Sequence, residues 1–427
     1  MTICKHFGTC GGCTYLDIPY SEELTQKENS LRETLGKHGS LLEGVIPAPS
    51  PNAYRNKMGL AFGDECKDGN LALGIRKRRS YYEVATVEDC SIIPADFKKI
   101  ALCVQDYFRK TGEAFFHRKR HTGSLRHLVL RRGEFTGEVL VNLSTASCLA
   151  VDLAPLVTQL LELELDGQIV GILHSVHDGV ADTVKDEDTR VLWGRDFFYE
   201  RICGLDFKVS AYSFFQTNSA GAEKLYEIIN HMAAYKKSKR MTSYEMAKCM
   251  TSYDMTKRMP SCKSDITQTT PENAGKLAYD LYCGTGTIAQ VLSPHFNKVI
   301  GVELNTAAIE SAKANAELNG INNCEFFAGD VLAILNDKSA LGEDGYSHPL
   351  DIAVVDPPRD GLHPKALAKL IALGPPRLIY VACKPSSLAR DLVALTDAGY
   401  APVQVVGMDM FPRTPHVEAV MLLCRKG

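Results

Sequence analysis

This chain of 427 residues lacks the sequence patterns of a membrane-spanning segment and of a signal peptide. No apolar run approaches the roughly 18 residues of a membrane span, and the start, MTICKHFG, lacks the apolar core of a signal peptide. We therefore expect a cytoplasmic protein with no membrane partner. An excess of positive charge is also missing, because the formal net charge is -3 and the pI is about 6.5. Any surface for a polyanion must be a local patch.

Cysteine, in contrast, is abundant, with 14 residues. In a cytoplasmic chain this number indicates metal binding or thiol chemistry, because a reducing compartment disfavours disulfides. Near the start, Cys4, Cys10 and Cys13 form a C-x5-C-x2-C pattern. Such thiolates suit a 4Fe-4S cluster or structural zinc, and the spacing does not decide between them. The pattern also differs from the C-x3-C-x2-C of radical adenosylmethionine enzymes.

The second half of the chain alternates hydrophobic runs with helical segments, in the rhythm of a doubly wound α/β sheet. Only FPRTPH separates the last two runs, which is too short for a parallel crossover, so they should be antiparallel. Five parallel strands followed by an antiparallel pair form the seven-stranded pattern of adenosylmethionine-dependent methyltransferases. The runs are LAYDLY (277–282), KVIGVEL (298–304), CEFFAG (324–329), LDIAVVD (350–356), RLIYVAC (377–383), PVQVVGMD (402–409) and VEAVMLLC (417–424).

Residues 1–208 have a different character, with a helical pattern near Ser21–His38 and strand-like runs such as LRHLVLRRG and TGEVLVNLS. We interpret them as a separate, mainly β domain, followed by a catalytic domain at 209–427. A tandem near-repeat at 241–258, MTSYEMAKC and MTSYDMTKR, predicts a mobile insertion over 235–274 without a catalytic role. A short amphipathic helix is the alternative interpretation of this repeat.

The segment DLYCGTGTIA predicts a strand, a glycine turn and a helix. Gly284 lets the backbone approach a ligand, and Glu303 ends the next strand 19 residues later. This spacing fits a dinucleotide site or the ribose of adenosylmethionine equally well. The later motif VVDPPRDG favours the methyl donor, because prolines stiffen an acidic strand end at Asp356. Arg359 stands where amino-methylating enzymes carry a base-stacking aromatic residue, which argues against an exocyclic amine as target.

The stretch YVACKPSSLARDL places Cys383 at the carboxyl end of a strand, because Pro385 suits the first turn of a helix. The helix dipole and Lys384 could stabilise its thiolate, although an inert core cysteine is the other possibility. Carbon 5 of uracil is not nucleophilic until a thiolate adds to carbon 6, and the adduct must then lose a proton to a base. Glu418, at the start of the final strand, is a candidate base with His416 beside it, although this residue alone is more typical of a solvated charge at a strand end.

Together these motifs resemble the bacterial iron–sulfur RNA (uracil-5-)-methyltransferases, close to those that modify 23S ribosomal RNA. The resemblance covers nearly the whole chain apart from the insertion. It rests on CKHFGTCGGC, SFFQTNS, DLYCGTGT, VVDPPRDG, YVACKPSSLARD and DMFPRTPHVE.

The resemblance implies a Rossmann-like methyltransferase domain and an iron–sulfur RNA-binding domain. It implies Cys383 as nucleophile and Glu418 as base, with Cys90 as the fourth ligand of a 4Fe-4S cluster and zinc as the alternative metal. It further implies contacts to S-adenosylmethionine from Gln216, Tyr282, Gly284, Glu303 and Asp356.

The sequence departs from this family in two residues. Lys384 stands where asparagine commonly follows the nucleophile, and Arg413 where a histidine or another polar residue is frequent; both could alter substrate contacts. The amino-terminal β-barrel RNA-binding domain of many relatives is also lacking, so target choice is expected to fall to the first domain.

Two basic runs of the first domain, IRKRRS (75–80) and HRKRHTGSLRHLVLRRG (117–133), could neutralise RNA phosphates. The resemblance leads us to predict an enzyme, expected to be a monomer, that methylates carbon 5 of a uridine in 23S ribosomal RNA. Transfer RNA is the alternative substrate. A catalytically silent iron–sulfur RNA-binding protein and a nicotinamide-dependent oxidoreductase are the more distant alternatives.

Overall fold

The fold is that of a computed structural model, which describes residues 4–117, 119–179, 188–234, 276–334 and 350–426. The predicted insertion at 235–274, with its repeat at 241–258, lies outside the described residues.

The helices and strands of the described residues are as follows. The strands are β1 (Leu42–Ile46), β2 (Lys57–Asp64), β3 (Leu71–Arg76), β4 (Val84–Thr86), β5 (Leu125–Arg132), β6 (Glu138–Thr145), β7 (Gln168–Val176), β8 (Thr189–Gly194), β9 (Phe197–Ile202), β10 (Leu205–Ser210), β11 (Leu277–Leu281), β12 (Lys298–Glu303), β13 (Cys324–Ala328), β14 (Leu350–Val355), β15 (Arg377–Ala382), β16 (Tyr400–Met408) and β17 (Glu418–Arg425). The α-helices are α1 (Tyr20–Leu35), α2 (Ala95–Thr111), α3 (Ala154–Leu161), α4 (Ser219–Ala233), α5 (Thr287–Leu292), α6 (Thr306–Leu318), α7 (Val331–Ile334), α8 (Pro364–Leu373) and α9 (Pro385–Asp397).

The largest sheet has eight strands in the order β1-β16-β17-β15-β14-β11-β12-β13. It contains all seven predicted runs, and β16 and β17 pair antiparallel as expected. Strand β17 also runs antiparallel to β15, whereas β11 to β15 pair parallel with one another. This arrangement is a Rossmann-like methyltransferase sheet. Its eighth strand, β1, was not predicted, and it pairs parallel with β16 at the edge.

Helices cover both faces of this sheet. Along β11, Ala278 belongs to one hydrophobic core, whereas Leu277, Tyr279 and Leu281 belong to the other. This alternation is the period of two that a strand buried on both faces requires. Helices α4, α5 and α6 contribute to the first core, and α1, α7, α8 and α9 to the second. The carboxyl ends of the parallel strands therefore open between two helical layers.

The earlier part of the chain is mainly β, as its sequence predicts. A seven-stranded sheet has the order β4-β3-β2-β5-β6-β7-β8, and α2 and α3 help to bury its core. Strands β9 and β10 form a separate antiparallel pair. Because β1 lies before residue 208 but joins the larger sheet, the division into domains at 208 and 209 stays a prediction. No helix among the described residues is long and apolar enough to cross a bilayer.

Helix α1 is fixed to the end of β16 by a buried ionic network. The Lys27 ammonium donates to Glu23 Oε1 and to Asp409 Oδ1, both at 2.7 Å, and all three side chains are excluded from solvent. The hydroxyl of Tyr20 also donates to Asp409, at 2.8 Å. Since a buried charge without its partner is costly, these contacts fix where α1 lies on the sheet.

The helix predicted near Ser21–His38 ends earlier than expected, and a 3-10 segment follows at Gly36–Leu41.

Candidate active site and cysteine cavity

Cys383 and Glu418 meet at the ends of two neighbouring antiparallel strands. The last residue pair between β15 and β17 is Ala382 opposite Ala419. Cys383 follows Ala382 and Glu418 precedes Ala419, so the two residues face each other one step beyond that pair. Residues opposite each other in an antiparallel pair have Cβ atoms about 4.5–5.5 Å apart. The structure therefore brings together the predicted nucleophile and the predicted base.

Two more charged residues act on this pair. Asp356 directly follows β14, the parallel neighbour of β15. Burial raises the pKa of Asp356 to about 7. Burial also raises the pKa of Glu418 to about 8, with a further increase from Asp356 and a decrease from Arg359. At neutral pH the two carboxyl groups therefore tend to retain protons rather than carry two buried charges.

The Cys383 thiol responds to the same groups. Burial raises its pKa, Glu418 and Asp356 raise it further, and Arg359 lowers it. The predicted strand–Cys383–helix order is confirmed. Cys383 follows the last residue of β15, Lys384 is the N-cap of α9, and Pro385 is the first residue of that helix. The predicted thiolate activation is not confirmed in the free protein, where the carboxyl groups favour the neutral thiol. The cation that counteracts them is Arg359 rather than Lys384.

The glycine turn after β11 forms an open cradle. Gly284 has a left-handed backbone (φ 53°), and a Cβ atom placed there would meet no other atom within 4 Å. Gly286 is different, because a Cβ atom there would lie 2.7 Å from the Phe326 ring. The Gly284 N–H donates to Glu303 Oε2 at 3.2 Å, which fixes the carboxylate beside the turn. Open space next to a fixed acceptor fits the ribose of an adenosyl group.

The other residues predicted to contact the cofactor lie at this edge or next to it. Tyr282 is partly buried with φ 69°, and burial raises its pKa, as do Asp330 and Glu303. Gln216 lies between β10 and α4, where its carbonyl accepts a hydrogen bond from the Asn56 amide at 2.9 Å. Two residues later, Asn218 donates to the carbonyl of Met410 at the end of β16. The Gln216 segment is thereby attached to the connection that leads to Glu418.

Asp280 is a buried acid that the sequence analysis did not identify. It lies within β11, is 0 % exposed and accepts a hydrogen bond from the Ala289 N–H at 2.8 Å. Burial raises its pKa to about 8, and the charges of Asp356 and Glu303 raise it further. Its role is to connect β11 to helix α5 behind the glycine turn. The sequence signal that could have identified this buried acid is an aspartate within an otherwise hydrophobic strand.

The four cysteines predicted as metal ligands surround one cavity. Its lining includes Cys4, Cys10, Cys13 and Cys90, together with apolar residues. Burial and then the neighbouring Cys90, Cys10 and Cys4 together raise the pKa of Cys13 to about 12, so the four thiols lie within electrostatic range of one another. Within the described ranges, no group of three or more His, Cys, Asp or Glu side chains is arranged to hold a metal ion. The thiols thus share a cavity without forming a compact single-ion site.

Arg413 does not have the role expected from its position in the motif. Its side chain is 2 % exposed, so it does not reach a substrate that binds from solvent, and an indirect effect on substrate contacts stays a prediction. The backbone of Arg413 is also left-handed, with φ 68°. No sequence pattern indicated this burial, since the partners of Arg413 lie at the opposite end of the chain.

Comparisons with known proteins agree with this geometry. Residues 237–426 match the family described as tRNA (uracil-5-)-methyltransferase. The chain is 38% identical over 428 residues to an uncharacterised RNA methyltransferase of Clostridium tetani, covering 99% of this chain and 84% of the relative. A relative named in the same way in Bacteroides thetaiotaomicron is 32% identical, covering 98% and 87%.

A solved structure extends the comparison to the fold. It is the Pyrococcus abyssi tRNA (uracil-54, C5)-methyltransferase in complex with S-adenosyl-L-homocysteine. The two chains are 27% identical with a TM-score of 0.70, over 97% of this chain and 86% of that one. These similarities exclude the oxidoreductase and the silent RNA-binding protein as interpretations. The chain belongs to the RNA (uracil-5-)-methyltransferase family and is an S-adenosylmethionine-dependent enzyme.

Proposed function

We propose that this enzyme methylates carbon 5 of a specific uridine in 23S ribosomal RNA through a covalent adduct between Cys383 and the uracil. The observation that supports this chemistry is the position of Cys383 opposite Glu418 at the ends of β15 and β17. The ribosomal target rests on the resemblance of the motifs, including the cysteine pattern. Transfer RNA is the second candidate, favoured by the substrate named for the Pyrococcus abyssi structure.

The first step is addition of the Cys383 sulfur to carbon 6 of the uracil. The thiol loses its proton to solvent, a step that the neighbouring carboxylates oppose while they are charged. Arg359 favours the thiolate, and so does protonation of Asp356, whereas Glu418 has to be deprotonated to act in the last step. Addition turns carbon 5 into a nucleophile, because the electron pair of the 5,6 double bond becomes an enolate. Both ring faces must be reached, so the uridine has to leave its base stack.

S-Adenosylmethionine supplies the methyl group. Glu303 and the backbone at Gly284 suit its ribose hydroxyls, because the carboxylate oxygens keep lone pairs free beside the open turn. Tyr282, Gln216 and Asp356 are the further proposed contacts. Each of them lies at the end of a strand of the large sheet or in a segment attached to that edge.

The last step removes the carbon-5 proton and releases the enzyme. Glu418 accepts this proton, the carbon–sulfur bond breaks and the electrons return to the Cys383 sulfur. Burial gives the Glu418 carboxylate a high proton affinity, since its pKa is raised to about 8. His416 is the alternative base. Partial desolvation of its ring, together with the charges of Arg359 and Lys27, lowers its pKa, so it is a weaker proton acceptor than Glu418.

The four-cysteine cavity fits a 4Fe-4S cluster with Cys4, Cys10, Cys13 and Cys90 as ligands. Its polar lining is rich in thiols, and buried thiols with raised pKa values gain most from a cation that favours the thiolate. Ligation of the cluster by four cysteines leaves no open iron position, so its function is structural. Zinc is the alternative ion, although no single-ion arrangement is present among the described residues.

The exposed part of the two basic runs provides a surface for RNA, whereas Arg126 and Arg131 of the second run are buried in β5. The chain just after the first run meets the start of the second, where the rings of Tyr82 and His117 stack with centroids 4.3 Å apart. Their neighbours in the sequence include exposed cationic side chains and the Tyr81 ring, which is 70 % exposed. The cations are Arg78, Arg79, Lys119 and Arg120. Cations beside exposed aromatic rings suit unpaired RNA, since phosphates bind the charges and bases stack on the rings.

The target prediction is tested by mapping 5-methyluridine in ribosomal and transfer RNA from cells with and without the gene. We expect loss of one or more 5-methyluridines from 23S ribosomal RNA, with transfer RNA unchanged. Complementation with Cys383→Ala should not restore the modification, because that variant lacks the sulfur that adds to carbon 6. Loss from transfer RNA alone would establish the second candidate instead.

The base prediction concerns Glu418→Gln. Glutamine keeps the size of the side chain but cannot accept the proton, so the methylated adduct should form and persist. With methyl-labelled donor and RNA, a denaturing gel should show a labelled protein–RNA species that nuclease shortens. Glu418→Gln combined with Cys383→Ala should show none. Normal turnover by Glu418→Gln would refute the assignment and make His416 the better candidate.

The electrostatic prediction concerns Arg359→Gln. Arg359 lowers the pKa of both Cys383 and Glu418, so its loss should raise both values. Both groups act in their deprotonated forms, and the rise of kcat/KM with pH should therefore move to higher pH. At pH 7 we expect kcat/KM roughly two- to five-fold below wild type, with recovery at alkaline pH. Arg359→Lys should behave like wild type. An unshifted profile for Arg359→Gln would contradict the role.

The RNA surface is tested with the triple variant Arg79→Gln, Lys119→Gln and Arg120→Gln. If each side chain contacts a phosphate, RNA affinity should fall and the slope of log K against log salt should decrease by about 2–3. Affinity for S-adenosylmethionine should not change. A matched control removes three exposed lysines elsewhere, Lys37, Lys313 and Lys369. Equal losses in the two triple variants would show that only total charge matters.

A further inference from the structure

Arg413 links the cysteine cavity to the connection that carries Glu418. Its carbonyl accepts hydrogen bonds from the N–H groups of Thr14 and Tyr15, at 2.7 and 3.1 Å. Those residues directly follow Cys13. Its own N–H donates to Glu23 Oε1 on α1, at 2.7 Å. One residue of the segment between β16 and β17 therefore fixes the cysteine segment and α1 together.

The side chain of Arg413 adds a buried cation at the same place. Its Nη1 lies 3.6 Å from Glu23 Oε2, while its Nε and Nη1 have no hydrogen-bond partner in the structure. Lys27 binds the other oxygen of Glu23, Oε1, so Oε2 is left to face Arg413, but at a distance too long for a hydrogen bond. Its backbone adjoins the cavity lining, because its carbonyl binds the two residues that directly follow Cys13.

A buried arginine with unpaired nitrogens requires an explanation, since desolvating a guanidinium without hydrogen bonds is costly. A negatively charged group in the cysteine cavity would supply the missing interaction. Four thiolates around iron and sulfide form such an anionic group. The same residue then provides charge to the cavity and a fixed position to the catalytic connection, five residues before Glu418.

We propose that Arg413 is a positioning residue that couples the occupied four-cysteine site to the placement of Glu418. Its guanidinium stabilises the anionic cluster, and its backbone transmits the position of the cysteine segment to the β16–β17 connection. The inference rests on the proposed 4Fe-4S cluster. It implies that loss of the cluster impairs the catalytic step and not only RNA binding.

The test compares anaerobically purified wild type, Arg413→Met and Arg413→Lys. Methionine and lysine are both unbranched, and the left-handed backbone strains both alike. A difference between the two variants therefore reports the effect of the positive charge at position 413. Arg413→Met should retain less iron and sulfide, and the midpoint potential of its remaining cluster should be more negative, because a nearby cation favours the reduced state. Its kcat should fall about tenfold while KM for RNA stays within about twofold. Arg413→Lys should lie close to wild type in all of these quantities.

A second measurement needs no variant. Amide hydrogen exchange of wild type before and after removal of iron by a chelator should show faster exchange at 409–418 in the iron-free protein, while β11 and β12 stay protected. Unchanged exchange at 409–418, or Met and Lys variants with equal potentials and equal kcat, would overturn the coupling while leaving the cluster established. Wild type without iron and sulfide would refute the cluster and this inference with it.

Discussion

The antiparallel pairing of β15 and β17 is the constraint on which the active site depends. It places Cys383 beyond one strand end and Glu418 at the matching end of its neighbour. Because side chains alternate between the two faces of a sheet, a shift of one residue would turn Glu418 to the opposite face. The position of β17 therefore has to be fixed from both sides. Strand β16 pairs with its other edge, and the 409–417 connection is held by buried contacts.

The chemistry of the site follows from the low polarity of this edge. Asp280, Asp356 and Glu418 all have raised pKa values, and burial is the largest cause for each. A site of this kind holds protons on its carboxyl groups in preference to several like charges. It consequently has a base of high proton affinity, but it suppresses the thiolate of Cys383 unless a positive charge is near. The exposed Arg359 supplies part of that charge from the solvent side.

Much of the fold could be predicted because its strands are dense hydrophobic runs, and Pro385 marks the junction at Cys383. Strand β1 was missed because it has only five residues next to the sequence PAPSP, which indicates a loop. The motifs predict that Cys383 and Glu418 share one pocket, and the register of β15 and β17 places them side by side, while their catalytic roles stay a prediction. The burial of Arg413 could not, since its partner Glu23 lies 390 positions away and a charged residue in a polar connection indicates a surface.

The amino-terminal segment is constrained by the methyltransferase sheet as well as by its own cysteines. Strand β1 covers the edge of β16, which would otherwise leave backbone groups unpaired. Helix α1 brings Lys27 to Asp409, and removing one member of such a pair leaves a buried charge at a cost of about 3–5 kcal/mol. Between these anchors and the cysteine cavity lies the carbonyl of Arg413. A change in the cysteine segment therefore cannot remain local, because the same contacts hold the connection between β16 and β17 in place.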